Sequence, residues 1–229
     1  GEADMAMEII NFEGDELHFN WNVNLDESSP GNYGSFTEFQ CDFINQDTNE
    51  NIRFVSDKGS KVTNGFTFGG GFYTEEKDGV EKRIPALLEN SSMNGNSGVS
   101  TSIVSGVTVK ALSFGISNSK VNGSSSFIGG YGGIQDSEVT NSKFKLPRRE
   151  LDWGGLLLIY GSKIVNSKLE GFMSASDADI DTSSITTPWV YPTSNRKGQS
   201  RIQGKIVNSD LNGLLSMNDN EELSRIDNR

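Results

Sequence analysis

The segment GSKIVNSKLEG at 161–171 returns forty-two residues later as QGKIVNSDLNG at 203–213, each holding Lys-Ile-Val-Asn-Ser followed by Leu and Gly. So short a repeated segment cannot bury its own apolar side and has to be covered by copies of itself, which points to a stacked repeat architecture. The phrase is the best-kept form of a looser pattern: a small residue, any residue, an apolar residue, any residue, then Gly or Asn. It recurs at Cys41-x-Phe43-x-Asn45, Ser91-x-Met93-x-Gly95, Ser119-x-Val121-x-Gly123, Ser137-x-Val139-x-Asn141, Ser167-x-Leu169-x-Gly171 and Ser209-x-Leu211-x-Gly213. A weaker copy is Ser183-x-Ile185-x-Thr187, and Asn or Asp precedes the Ser at Asn90, Asn118, Asp136, Asn166 and Asn208.

Alternate side chains of an extended segment point to opposite faces. The pattern therefore predicts Val165, Ser167 and Leu169 on one face with Asn166, Lys168 and Glu170 on the other, and likewise Val207, Ser209 and Leu211 inside. Ile164 and Ile206 break the alternation, which predicts a bend before each Val. The closing Gly or Asn suits a corner with positive φ, a conformation those residues tolerate at least cost. Successive small residues lie 50, 28, 18, 30, 16 and 26 positions apart, compatible with coils of about 16–30 residues and one decayed copy after Cys41. None of these segments has a 3.6-residue apolar period, so helical repeats are excluded.

The stretches FQCDFINQ (39–46), ISNSKVNG (116–123) and IQDSEVTNSKFKL (134–146) resemble coils of right-handed parallel β-helix proteins of the pectate-lyase-like group. The run Ser137-x-Val139-x-x-Ser142-x-Phe144 is similar, for two units, to the five-residue rhythm of pentapeptide-repeat solenoids. The resemblance covers residues 36–217 and implies an all-β, single-stranded right-handed parallel β-helix; it carries no catalytic motif. The rival is an antiparallel β-sandwich, whose best evidence is ELHFNWNVNL (16–25), where Leu17, Phe19, Trp21, Val23 and Leu25 alternate with polar residues. That segment equally suits a first coil or cap. The organisation expected is an N-terminal strand or cap region at 1–35, the solenoid at 36–217 and a polar cap or tail at 218–229. A terminal coil left uncovered would stack on another subunit and give a homo-oligomer.

Thirteen Phe, 3 Trp and 5 Tyr supply core material for an ordered, turn-rich chain with 26 Gly. Net charge is −11, and it is unevenly spread: 1–90 carries 18 acidic and 6 basic residues, 91–229 carries 13 and 14. Such a chain gains nothing from counterion release on a phosphate backbone, so nucleic acid is not an expected partner. The longest apolar run, GGLLLIYG (154–161), is too short to span a bilayer, and the first residues do not read as a basic-then-apolar leader. The single cysteine, Cys41, excludes an internal disulfide.

Nucleophilic catalysis needs a base beside the nucleophile. The one histidine, His18, falls on the polar side of its strand, and Cys41 sits between Phe39 and Phe43 as an inert core thiol. Enzymes on β-helices that act on polysaccharides use acids from neighbouring coils. The local acidic candidate is SASDADIDTSS (174–184), where Asp177, Asp179 and Asp181 alternate and on a strand would share one face, able to hold calcium or a sugar; an exposed acidic strand is the alternative. The chain calls for no cofactor beyond calcium at this place. Two insertions interrupt the rhythm. KLPRRELDWGG (145–155) offers Arg149 and Trp153; TTPWVYPTSNRKGQSR (186–201) offers Trp189, Tyr191 and Arg196. Insertions in solenoids map to corner loops, where binding residues gather, and aromatic rings beside Arg suit glycan or protein contact. Trp189 packing as a lid on a coil accounts for it equally well.

Two functional expectations follow. One is a non-enzymatic solenoid of an extracellular, cell-surface or virion setting, binding a glycan or protein surface through its corner loops. The other is a carbohydrate-active β-helix enzyme, a lyase or hydrolase.

Overall fold

The computed structural model describes the backbone of residues 4–13, 16–24, 37–39, 44–45, 50–51, 53–56, 61–63, 66–69, 71–74, 79, 81–94, 97–146, 155–188, 200–213 and 215–218, and side chains chiefly within 85–213. Twenty-three of the described strands join one sheet. Within it the only antiparallel pairing is Asp4–Glu13 against Glu16–Asn24. Glu16–Asn24 in turn runs parallel to Arg53–Ser56 and Lys61–Thr63, so the alternating N-terminal segment belongs to the stack, under an antiparallel edge strand. The protein is a parallel β-solenoid, and the antiparallel sandwich is set aside. Among the described residues no helix is long and apolar enough to cross a membrane.

Each complete coil contributes three strand segments, which pair with their counterparts one coil on and so build three faces. On the first face the inward column runs Leu88, Val104, Val121, Val139, Ile164, Ile180, Ile206. On the second it runs Met93, Val109, Phe127, Phe144, Leu169, Ile185, Leu211. On the third it runs Val99, Ile116, Ile134, Ile159, Ala175, Ile202. All of these are buried, and they line one continuous core. At about 1.5–3 kcal/mol for each large apolar side chain removed from water, these columns dominate the stability of the coil.

First-face steps are 16, 17, 18, 25, 16 and 26 residues. The true coil is thus 16–18 residues, lengthened twice. The wider range expected from sequence arises because the small-x-apolar pattern marks two faces: Ser119-x-Val121 and Ser137-x-Val139 lie on the first, Ser167-x-Leu169 and Ser209-x-Leu211 on the second. Five residues separate the two corner serines of a coil, Ser137 and Ser142 for example, and this is the pentapeptide-like rhythm.

The bend position differs from the expectation. Ile164 and Ile206 point inward and Val165 and Val207 are half-buried on the outer side, because the corner falls one residue later, at Asn166 and Asn208. These have φ of 47° and 50°; Asn90 and Asn141 stand at the same corner, and Asn118 and Asp136 at the corner from the third face to the first, all four with φ between 46° and 49°. Asn and Asp suit this left-handed region because their short polar side chains bond locally. The Asn166 amide donates to the Asn141 side-chain oxygen one coil away.

Behind each such corner sits a buried serine, whose small side chain fits the inside of the bend. The Ser102 amide donates to Ser119 Oγ, the Ser119 amide to Ser137 Oγ and the Ser137 amide to Ser162 Oγ, each at 3.1 Å. The second corner repeats the scheme from Ser142 through Ser167 and Ser183 to Ser209. Each hydroxyl spends its own proton on the carbonyl two residues back, as Ser137 does on Gln135 and Ser167 on Val165. Backbone amides that the turn removes from the ladder are thereby satisfied, as burial requires.

Phe114, Phe127 and Phe144 thicken the core between the second and third faces. Phe127 and Phe144 stack with centroids 4.9 Å apart and planes 5° apart, and Phe114 tilts against both. Gly129 and Gly132 make room for Phe114: a Cβ at Gly132 would come within 2.3 Å of its ring, and one at Gly129 within 3.1 Å.

Candidate functional site

The outer surfaces of the three faces differ in chemistry. Beside the inward column of the first face, the outward column reads Lys120, Glu138, Lys163, Asp179, Lys205, all exposed and alternating in sign at about one coil spacing, ~4.8 Å. Opposite charges on directly paired positions stabilise a sheet modestly. The second face carries Lys143 directly beside Lys168 and Lys145 beside Glu170.

The third face is built otherwise. Three outward columns run Ser113, Tyr131, Leu156; Gly98, Gly115, Gly133, Leu158, Ser174; and Ser100, Ser117, Gln135, Tyr160, Ser176. These stretches hold no charged residue; the middle column meets one in the next coil, where exposed Arg201 pairs beside Ser174. Tyr131 and Tyr160, 40% and 55% exposed, are the exposed large hydrophobic side chains among the described residues, and both stand here. A shallow depression of about 610 Å³ follows this face, bordered by Gly98, Gly115, Gly133, Gln135, Leu158 and Tyr160 among others. Its volume falls within the range of small-ligand sites.

Both lengthened coils gain their extra residues at the corner between the second and third faces. Residues 147–154 connect Lys143–Lys145 on the second face to Leu156–Tyr160 on the third. Residues 189–199 connect Ser184–Thr186 to Ser200–Val207 in the same way. The coil between them makes the same corner with Gly171 alone, at φ 141°. The insertions therefore leave one edge of the third face, two coils apart. Arg149, Trp153, Trp189, Tyr191 and Arg196 lie outside the described residues, as do Cys41 and the tail at 219–229; His18 lies in a strand whose side chains are not described.

Asp177, Asp179 and Asp181 all turn outward, but the chain changes face between them. Asp177 stands on the corner from the third face to the first, at φ 50°, and the pairing register breaks between Ala175 and Ala178. Asp179 lies between Lys163 and Lys205, and Asp181 between Val165 and Val207. Asp136, from two coils earlier, flanks Gly161 together with Asp177. A Cβ at Gly161, between them, would lie 2.5 Å from Asp136 Oδ1 and 3.9 Å from Asp177 Oδ2. Among the described residues no group of three or more His, Cys, Asp or Glu is arranged to hold a metal ion.

Sequence reasoning missed Tyr131 and Tyr160 as site residues. Their signal was present, Tyr131 in the Gly-rich strand SFIGGYGGIQ and Tyr160 closing the apolar strand LLLIY, but it needs the register to be seen. No protein-family model, curated protein or solved structure matches the chain.

Proposed function

We propose that this chain is a non-enzymatic β-solenoid of an extracellular, cell-surface or virion setting that attaches to a glycan or protein through the loops of one corner, and that it is similar in kind to right-handed parallel β-helix proteins of the pectate-lyase-like group. One observation carries the reading: both long insertions leave the same corner, beside the face that bears both exposed tyrosines. A scaffold that needed only to stack would have no reason to lengthen two coils at one edge, whereas loops on rigid scaffolds are where binding residues collect. Arg149, Trp153, Trp189, Tyr191 and Arg196 are the loop residues assigned to contact.

The test is a pair of coil-shortening variants in which 147–154 and 189–199 are each replaced by a single-glycine link of the kind Gly171 makes. Binding is measured on a glycan array and on a panel of cell surfaces. Retained sheet content with lost binding is expected; unchanged binding by both variants would remove the corner loops from the function. Sedimentation of the intact chain tests the homo-oligomer that belongs to the same reading.

The carbohydrate-active alternative has one observation in its favour, the approach of Asp136 and Asp177 over Gly161 at the rim of the third face. Paired carboxylates are what glycoside hydrolysis needs. Release of reducing ends from a polysaccharide panel, abolished in Asp136→Asn and Asp177→Asn, would establish it, and no release by the intact chain would discard it.

A further inference from the structure

Glycine in the middle of a strand weakens it, by entropy and by the missing side chain, and its presence there calls for a cause. The solenoid has two kinds of mid-strand glycine. Gly129 and Gly132 have an internal cause, the Ala111 carbonyl and the Phe114 ring at the first and the Phe114 ring at the second. Gly115 and Gly133 have none: a Cβ on either would meet nothing within 4 Å, and neither has a positive φ. They are directly paired with each other, and Gly115 pairs with Gly98 on its other side, so the three form a row one residue wide along the third face. On one side of the row stand Ser113 and Tyr131, on the other Ser117, Gln135 and Tyr160. The bare backbone is thus the floor of the 610 Å³ depression.

We propose that this row is a ligand floor, on which an uncharged polysaccharide chain lies along the solenoid axis with Tyr131 and Tyr160 as its aromatic contacts. The proposal rests on the reading of the protein as an attachment module and names the ligand class of the face beside its corner loops. Three observations select the occupant. The depression follows five successive coils, roughly 19 Å at ~4.8 Å per coil, which suits an extended ligand. Its lining offers hydroxyls, a carboxamide, a tyrosine ring and Leu158 but no charge, and the one cation beside it, Arg201 next to Ser174, stands at its end, so a polyanion would find no counter-charge along its length. The depression is also too small to seat a protein partner by itself: about 19 Å by roughly five residues of strand gives on the order of 300 Å², against the ~800 Å² per partner of a stable interface. A tyrosine ring presents an apolar face and a polar hydroxyl, the pairing that the apolar face and hydroxyl edge of a sugar ring require.

The experiment uses the full chain in affinity electrophoresis through gels containing neutral polysaccharides (a β-glucan, a xylan, a mannan, a dextran) and, in parallel, polygalacturonate and heparin. Gly115→Val and Gly133→Val fill the floor, and Tyr160→Ala removes one wall at an exposed position. The expected result is retardation by at least one neutral polysaccharide, weakened about tenfold or more in each variant. The melting temperature should be unchanged in Tyr160→Ala and unchanged or raised in the glycine variants, because valine favours a strand where there is space for it. Unweakened retardation of the glycine variants would overturn the floor, and a marked fall in their melting temperature would give these glycines a structural cause and equally overturn it. Retardation by the polyanions alone would overturn the ligand class while leaving an attachment function standing. No retardation by any polysaccharide, with binding to a protein surface instead, would overturn it in the same way; no binding to glycan or protein would remove the attachment reading itself.

Discussion

The first two faces of the solenoid and the third solve one packing problem with different outer surfaces. All three seal a column of Val, Ile, Leu, Met and Phe. The first and second are divided in most coils by a corner of Asn followed by a buried Ser, and their outer columns carry charges, in alternating sign on the first. The third keeps the inward column but, over the five coils before Arg201, gives up charge and, at Gly115 and Gly133, side chains altogether. The difference teaches that the coil's stability is written in its inward column and its serine corners, while an outer surface free of both duties can be shaped for contact.

The sharpest test of that division is to remove bulk from each side. Phe127→Ala opens a cavity beside the Phe144 ring that stacks on it and the Phe114 ring tilted against it, and should cost about 3–5 kcal/mol in urea unfolding, whereas Tyr160→Ala on the third face should stay within about 0.5 kcal/mol. Equal losses would mean that the third face is as structural as the core. Serines can be compared in the same manner. Ser137→Ala strips the Ser119 amide of its acceptor in a buried corner and should cost about 1–3 kcal/mol; Ser174→Ala, exposed on the third face, should change the midpoint hardly at all.

At the corners, Asn166→Ala should lose about 1–2 kcal/mol while Asn166→Gly loses less, because the cost is that of holding a Cβ at φ 47°. If the two variants unfold together, the backbone conformation is not what selects Asn. The smallest effect expected is for Glu138→Lys, which places three lysines in succession at Lys120, 138 and Lys163. It should destabilise by about 0.2–1 kcal/mol per like-charged pair, and that loss should shrink in 1 M salt, where screening is short-ranged. A salt-independent loss would show that the outer columns of the first face are not held by charge.

How much of this was legible follows the same division. Stacking could be read from Lys-Ile-Val-Asn-Ser because the inward apolar residue and the small corner residue recur in every coil, and recurrence is visible along a chain. The corner itself was misplaced by one residue at Val165. Two consecutive apolar residues, Ile164 and Val165, fit either side of a bend, and only the left-handed φ of Asn166 decides between them. Two faces were merged into one pattern, since Ser-x-apolar is written at both corners of a coil. The third face was not legible, because its chemistry lies in neighbours 16–25 positions apart: Gln135 beside Tyr160, and Tyr160 beside Ser176. The acidic run at 177–181 reads as one strand face only if the chain goes straight on, and the register break after Ala175 turns it onto the next face.

The corner that Gly171 closes with one residue, and that neighbouring coils close with eight or eleven more, behaves as a port for foreign sequence. Because the flanking strands stay in register whatever is threaded between them, a peptide tag or a folded miniature domain spliced in place of 147–154 should leave the serine ladders untouched, and several such cargoes could be displayed in a row at coil-defined intervals.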